Sequence, residues 1–566
     1  MTHVNSLPNE PQAHAKQTVL KQLKTLLLKF LRRSQGFLAA QTLPHLADKA
    51  CKIYLGEAHQ AHQARCRRIL KSTLELDPIQ LHRFFHTALG EMLLSWGERF
   101  FHLPDHSDDE ARKQALKTLL LQMAADPEGL SLLSFMRRPD TLKFNLDQVL
   151  LTAKRVDLLV KETAATLDIL RSLAASEAEA SPNCDFSQWP DLRQPGPFDI
   201  VQYTLLLDRT GKPASADVSQ PLQVLCYQPQ PWPTQPVPVV IQSHGLASSP
   251  EDLELYARHL TSHGYFVAAP WHSGSDVRQV RSMLEGKSHD IFKVQEFIDR
   301  PLDISYLLDQ LEQRNETQFD SRLDLGAVGV MGYSFGAYTA FALAGASIHF
   351  ESLEQACRFP WDNPNLSLLL QCQALGLPRQ AYCLQDSRIR AIVSLDAVGS
   401  EVFGTHGMSD IQTPVLLLAS SHDIAAPLVF EQVHLFERLT IPHRYLAVMQ
   451  GKAHIRNLQR LTESLNLQVK VLPPRPAVFN EMPFDHYINA LSLAFFGQHL
   501  MPDQIKPDQM GSDQKASLEL TARYANTLSQ DPYQLWLVSA QSSQALAEQL
   551  QGWMGEMGWK NESVGA

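Results

Sequence analysis

Gly332-Tyr333-Ser334-Phe335-Gly336 lies between an apolar run, Ala327-Val328-Gly329-Val330-Met331, and the small-residue stretch Ala337-Tyr338-Thr339-Ala340. This spacing predicts a strand, a tight turn and a helix in immediate succession. A serine at such a turn takes a strained backbone conformation. A side chain two positions to either side would clash, so glycine is required at both. The strain pushes the hydroxyl out above a sheet, and the surrounding chain is expected to supply that sheet and the helices that cover it.

The pattern along the chain meets this expectation in two halves. Residues from about 14 to 178 read as helical, with periodicity through Gln63–Leu74, Leu81–Phe100, Asp109–Ala125 and Leu146–Ala178. Asp126-Pro127-Glu128-Gly129 can start a new helix there, because proline suits a first helical turn. We place a helical domain at 1–180 and a polar, proline-containing linker at 181–198. An α/β domain follows at 199–500. Ile200–Leu207 and Leu222–Gln228 read as an opening antiparallel pair, and Val237–Gln242, Phe266–Ala269, Ile389–Leu395, Pro414–Ala419 and His443–Val448 as further strands. Leu253–His263, Pro301–Gln313 and Ala337–Ala346 read as helices between them, the order expected of a mostly parallel sheet. Residues 347–387 interrupt that order and are expected as an insertion over the site. The extension 501–566 reads as polar and then helical over Ser542–Met554, with Trp536, Trp553 and Trp559 suggesting that part of it docks.

Composition narrows the function classes. The 566 residues are 44% apolar and 19% charged with a formal net charge of −10, which suits a globular protein and gives nucleic acid no basic surface to bind. No apolar run approaches a membrane span, and the first eleven residues lack a secretion signal. Val19, Leu20, Leu23, Leu26, Leu27, Phe30 and Leu31 recur at helical spacing among lysines and arginines. Such a basic helix either lies on an anionic membrane surface or packs on its own domain with a solvated face. The expectation is a cytoplasmic protein with peripheral membrane contact through residues 16–33 as an option. The seven cysteines show no C-x-x-C pair and read as free thiols, with a bridge among Cys357, Cys372 and Cys383 expected only after export.

A nucleophilic serine needs a base, an orienting acid and donors for an oxyanion. Downstream of Ser334, His454 in Gly451-Lys452-Ala453-His454 directly follows the last predicted strand, where a loop delivers an imidazole to the end of the sheet. Two acids compete. Asp423 lies just past the Pro414–Ala419 strand, and Asp396 just past the strand before it. We favour Asp423, because the loop after the penultimate strand is the usual source; Asp396 otherwise reads as a loop-hydrogen-bonding residue. The oxyanion donors are expected to be the N–H groups of Phe335, at a helix N-terminus, and of Leu246, in the Ser243-His244-Gly245-Leu246 loop. His244 itself reads as structural. No cofactor and no metal are implied.

These segments carry a resemblance. Gln194-Pro195-Gly196-Pro197, the Ser243–Leu246 loop, His263-Gly264-Tyr265-Phe266-Val267-Ala268-Ala269-Pro270, Arg300-Pro301-Leu302-Asp303-Ile304, the elbow and Gly451–His454 resemble α/β hydrolases of the platelet-activating-factor acetylhydrolase and dienelactone-hydrolase-like group, and more distantly cutinase-type polyester hydrolases. The resemblance implies the α/β-hydrolase fold over about residues 190 to 460. Ala124–Leu133 resembles part of a helical domain of unknown function fused ahead of such hydrolases in photosynthetic bacteria. Tyr333 stands where a histidine is common, Ala337 where a second glycine is common, and Trp271 where an acid is frequent. Acetylhydrolase-type relatives take their acid from the loop that Asp396 matches, cutinase-type ones from the loop that Asp423 matches.

The expected function is hydrolysis of carboxylic esters through Ser334, His454 and Asp423. Phe350, Phe359, Pro360, Trp361 and Leu368–Leu370 could line an acyl chain, which makes lipid or phospholipid esters candidates beside small soluble ones. The alternatives are acyl transfer or thioester hydrolysis by the same triad, or a scaffold with a vestigial hydrolase half.

Overall fold

The computed structural model describes residues 76–102, 108–126, 130, 143–209, 221–358, 364–454, 482–501 and 518–556. The expected basic helix of residues 16–33, the Gln63–Leu74 periodicity, Cys51, Cys66, Pro127–Gly129, Phe359, Pro360, Trp361 and Trp559 lie outside these residues. Leu76–Leu121 and the described residues from Lys143 onward belong to one compact unit.

Two short strands, β1 (Phe101–His102) and β2 (Lys143–Phe144), pair antiparallel among the leading helices. The main sheet has nine strands: β3 (Asp199–Leu207), β4 (Leu222–Gln230), β5 (Val237–Ser243), β6 (Phe266–Pro270), β7 (Leu323–Tyr333), β8 (Ile389–Leu395), β9 (Val415–Ser420), β10 (Arg444–Met449) and β11 (Leu535–Ser539). Their order is β11-β10-β9-β8-β7-β5-β6-β4-β3. The six from β6 to β10 pair parallel, whereas β3, β4 and β11 are antiparallel to their neighbours. Every residue of β5, β6 and β9 is buried, as expected where helices cover both faces. The fold is α/β with a mostly parallel sheet.

One face packs against Phe297, Leu307 and Leu311 of helix Glu296–Gln318 and Phe341 of helix Phe335–Leu343. Tyr256 and Leu260 of helix Glu254–Ser262, with Tyr487, Leu491 and Phe495 of helix Met482–Leu500, cover the other. Helix Glu296–Gln318 starts five residues before the expected Pro301. Proline has no N–H for the Phe297 carbonyl, but the Tyr338 hydroxyl donates to that oxygen at 3.0 Å. The replacement bond lets the helix run through Pro301 and fastens it to the helix after Ser334.

Three other expectations change. The periodic segment Leu81–Phe100 is two helices, Pro78–Phe84 and Ala88–Gly97, because Thr87 caps the second by accepting from the Gly90 N–H at 3.0 Å. The C-terminal extension contributes a strand as well as a helix: β11 pairs with β10, and Trp536 is buried. Helix Leu146–Ala180 sends Leu170, Ala174 and Ala178 into the sheet's core, and its Glu177 accepts from the Ser539 N–H. Its last turns therefore pack with the sheet, across the boundary expected at residue 180.

The insertion is cross-linked within itself and clamped to the domain by a buried carboxylate. Cys357 and Cys372 form a disulfide, contrary to the free-thiol expectation, while Cys184, Cys226 and Cys383 are free. Phe350, Leu368 and Leu370 are buried in packing and line no open wall. The Glu431 carboxylate, fully buried, accepts from the side chains of Asn365, Ser367, Gln371 and Ser400 and from the N–H groups of Gly399 and Ser400. Burial pushes its pKa up against these donors. Glu431→Gln would turn an amide NH₂ toward donors. Such a mismatch costs about 1–3 kcal/mol for each buried group left unpaired, so urea unfolding should show a loss of that size. Unchanged stability would remove Glu431 as the clamp.

Candidate active site

Ser334 sits between β7 and the helix Phe335–Leu343 with φ 55° and ψ −114°, a conformation costly for a residue with a Cβ. Its N–H donates to the Leu395 carbonyl at 2.9 Å, which ties the turn to β8. The flanking glycines are sterically required. A Cβ on Gly332 would stand 2.1 Å from the Gly336 carbonyl oxygen, and one on Gly336 would stand 1.9 Å from that of Ser243. Both obstacles are backbone, so neither can swing aside. Gly336→Ala is expected to destabilise the fold by about 1–3 kcal/mol, read as a fall in Tm; an unshifted Tm would contradict this packing.

His454 follows β10 across Gly451, whose φ is 91°. Its Nε2 lies 3.0 Å from Ser334 Oγ and its Nδ1 2.6 Å from Asp423 Oδ2. Two devices hold this loop. The Tyr333 hydroxyl donates to the His454 carbonyl at 2.7 Å with the two rings 5.2 Å apart, and the His422 N–H donates to the Lys452 carbonyl at 2.9 Å. Tyr333, noticed in the sequence only as a departure from relatives, thus fastens the histidine.

The two candidate acids part here. Asp423 Oδ1 accepts from the N–H groups of Ala425 and Ala426, each at 2.8 Å, which leaves Oδ2 aimed at the imidazole. Asp396, fully buried with φ 47°, accepts from the Ser420 N–H at 2.8 Å and pairs with Lys452 Nζ at 2.7 Å. Asp396, Asp423 and His454 have ligand atoms within 4.8 Å of one another, a geometry that could hold a cation. The Lys452 ammonium already compensates one of those carboxylates, and His454 engages the other. Burial alone pulls the His454 pKa down, but the Asp423 carboxylate and its hydrogen bond outweigh it and hold the value above the ordinary 6.5.

On the other side of Ser334, the loop after β5 passes close. A Cβ on Gly245 would lie 3.3 Å from Ser334 Cβ. Phe335 is the first residue of its helix, so its N–H stands outside the intrahelical ladder. The expectation that His244 is structural fits its surroundings: fully buried, its Nδ1 faces the Gly245 carbonyl at 2.8 Å and its Nε2 accepts from the His272 N–H at 3.1 Å. Those partners set the neutral Nδ1–H tautomer, and burial drives its pKa well down.

Beneath this loop lies a group the sequence reading passed over. Arg300, fully buried, donates to the His244 carbonyl at 2.6 Å, the Gly245 carbonyl at 3.3 Å and Ser275 Oγ at 2.7 Å. Its guanidinium carbon sits 4.3 Å from the centre of the Phe335 ring, and Glu296 lies 3.5 Å away one turn earlier. Burial lowers its pKa to about 10, which leaves it charged at neutral pH. The signal was present as Arg300-Pro301, but nothing local said that this arginine points inward.

Among the described residues no helix is long and apolar enough to cross a membrane. Residues 45–147 match a family model described as an alpha/beta hydrolase of unknown function (DUF1400). That stretch ends before the nine-stranded sheet begins at Asp199. No curated protein matches the chain. Sheet and family match together make this a hydrolase-type α/β fold, similar in its leading residues to hydrolases whose function is not established.

Proposed function

We propose that this chain hydrolyses carboxylic esters through an acyl-enzyme on Ser334. The observation that carries the reading is the continuous path from Ser334 Oγ to His454 Nε2 at 3.0 Å and from His454 Nδ1 to Asp423 at 2.6 Å. His454 takes the Ser334 proton as Oγ bonds to the ester carbonyl carbon. The resulting oxyanion is received by the N–H groups of Leu246 and Phe335. The tetrahedral species collapses, and the departing alcohol takes the proton from His454. Water, deprotonated by the same imidazole, then releases the acid. Asp423 orients the ring and stabilises the imidazolium.

A fluorophosphonate probe should label Ser334 in the intact chain, and Ser334→Ala should lose both the label and turnover of p-nitrophenyl butyrate. Undiminished activity in the folded variant would sink the assignment, and an inert serine in the intact chain would favour a vestigial site. Ile424, next to Asp423 in the chain, is a large apolar side chain left 76% exposed. It supports an ester with an apolar acyl chain, lipid acyl groups included. Ile424→Ser should lower kcat/KM for octanoate over acetate esters by about tenfold, and an unchanged chain-length profile would remove it from the acyl site.

Only the neutral imidazole can act as the base. Because Asp423 raises the His454 pKa above 6.5, kcat/KM should fall as pH drops through a midpoint above that value. An acid limb centred below 6 would contradict the coupling.

The Cys357–Cys372 bridge supports an oxidising working compartment over a reducing one.

A further inference from the structure

Resting on the hydrolase reading above, we infer that Arg300 is a positioning residue for the oxyanion site, holding the His244–Leu246 loop so that its N–H groups face Ser334. In a trans peptide the C=O and N–H point in opposite directions. Fixing a carbonyl on one side of a loop therefore aims the following N–H at the other. Arg300 fixes two such carbonyls at once, His244 at 2.6 Å and Gly245 at 3.3 Å. The N–H groups of Gly245 and Leu246 must then face away from the guanidinium. Gly245 lies against the nucleophile, where an added Cβ would come within 3.3 Å of Ser334 Cβ and 3.1 Å of the Tyr333 ring.

The guanidinium is itself held from every side. Ser275 Oγ accepts from Arg300 Nε at 2.9 Å and from Nη2 at 2.7 Å, and Ser275 donates to Glu296. The Ser275 carbonyl also accepts from the Ala247 N–H at 2.9 Å, so the same residue anchors both the arginine and the far end of the loop. The second donor residue, Phe335, lays its ring over the guanidinium. One buried side chain thus touches Phe335 and the carbonyl of the peptide that joins Gly245 to Leu246, the two places that carry the expected oxyanion donors. A planar fork holds separate N–H groups on two adjacent carbonyls and on Ser275 at once, a fixed geometry that the compact ammonium of a lysine does not reproduce. The loop in turn presents backbone donors that need no rearrangement when charge develops, which is where such a site gains its rate.

Arg300→Lys keeps a charge opposite Glu296 but loses the rigid fork that holds both carbonyls and Ser275 together. In ester turnover it should lower kcat about 10²-fold with KM within about twofold of the parent, as expected when a transition-state donor is misaimed. Affinity for a trifluoromethyl ketone, which forms the tetrahedral adduct on Ser334, should fall in step with kcat/KM. A folded Arg300→Lys protein with kcat within threefold of the parent, or with a loss confined to Tm, overturns the inference. If that variant does not fold, Ser275→Ala decides. It removes the hydroxyl that accepts from both Nε and Nη2 and so frees the guanidinium to shift off the two carbonyls; a fall in kcat of about tenfold at constant KM supports the role, and an unchanged kcat overturns it. Ser334→Ala is run beside both. If it retains turnover, the hydrolase reading has failed; if it is dead while Arg300→Lys is fully active, only the positioning role has failed.

Discussion

Ser334→Ala is expected to lower kcat for a p-nitrophenyl ester by about 10⁶-fold, and adding His454→Ala to that variant should cost almost nothing more. In the proposed mechanism the nucleophile and its base act as one unit: without the hydroxyl there is no proton for His454 Nε2 to accept from its partner 3.0 Å away. Activity remaining above the uncatalysed rate should come from binding and the oxyanion donors alone. The check is single-turnover kinetics on the two single variants and the double variant, with circular dichroism to show that each is folded. Independent, multiplying losses would mean that the two residues do not work together.

Asp423→Asn is expected to lower kcat by about 10⁴-fold, because an amide cannot stabilise the imidazolium and can hold the ring in the wrong tautomer. It should also move the acid limb of the pH profile down. Once the Asp423 charge is gone, burial is left to depress a histidine that the carboxylate otherwise raises. Asp396→Asn should behave differently. It strands the buried Lys452 ammonium that Asp396 pairs with at 2.7 Å. Breaking a buried pair by removing one partner costs about 3–5 kcal/mol of stability, while kcat in the folded fraction stays within tenfold. The two variants are compared by urea unfolding and by pH–rate profiles. A folded Asp396→Asn protein as inactive as Asp423→Asn would reverse the roles.

Much of this arrangement was legible because it is local. The Gly-x-Ser-x-Gly spacing announces the turn, and a Cβ on Gly332 would meet the Gly336 carbonyl within it, although the obstacle at Gly336 is Ser243 of the neighbouring strand. The strands from Val237 to Val448 were readable because buried parallel strands are short apolar runs bounded by turns. Features dependent on distant partners were not. Strand β11 is an apolar run of five residues in a mostly polar extension, and its place in the sheet depends on the edge that β10 offers it. The helix through Pro301 continues because a hydroxyl forty-one residues away replaces the missing bond. Within the insertion, Phe350, Leu368 and Leu370 looked available for substrate and are instead buried.

By itself the sequence determined that a serine would be presented at the end of a parallel sheet, with a histidine and two aspartates on loops at the same end, because each of those placements follows from a strand and the turn after it. Only the tertiary structure decided which carboxylate meets the imidazole. Asp396 and Asp423 follow adjacent strands and are alike in local pattern, and the difference between them is a buried lysine that claims one and leaves the other facing His454. It likewise decided where Arg300 points, since a side chain's burial depends on which carbonyls and rings the rest of the chain brings around it.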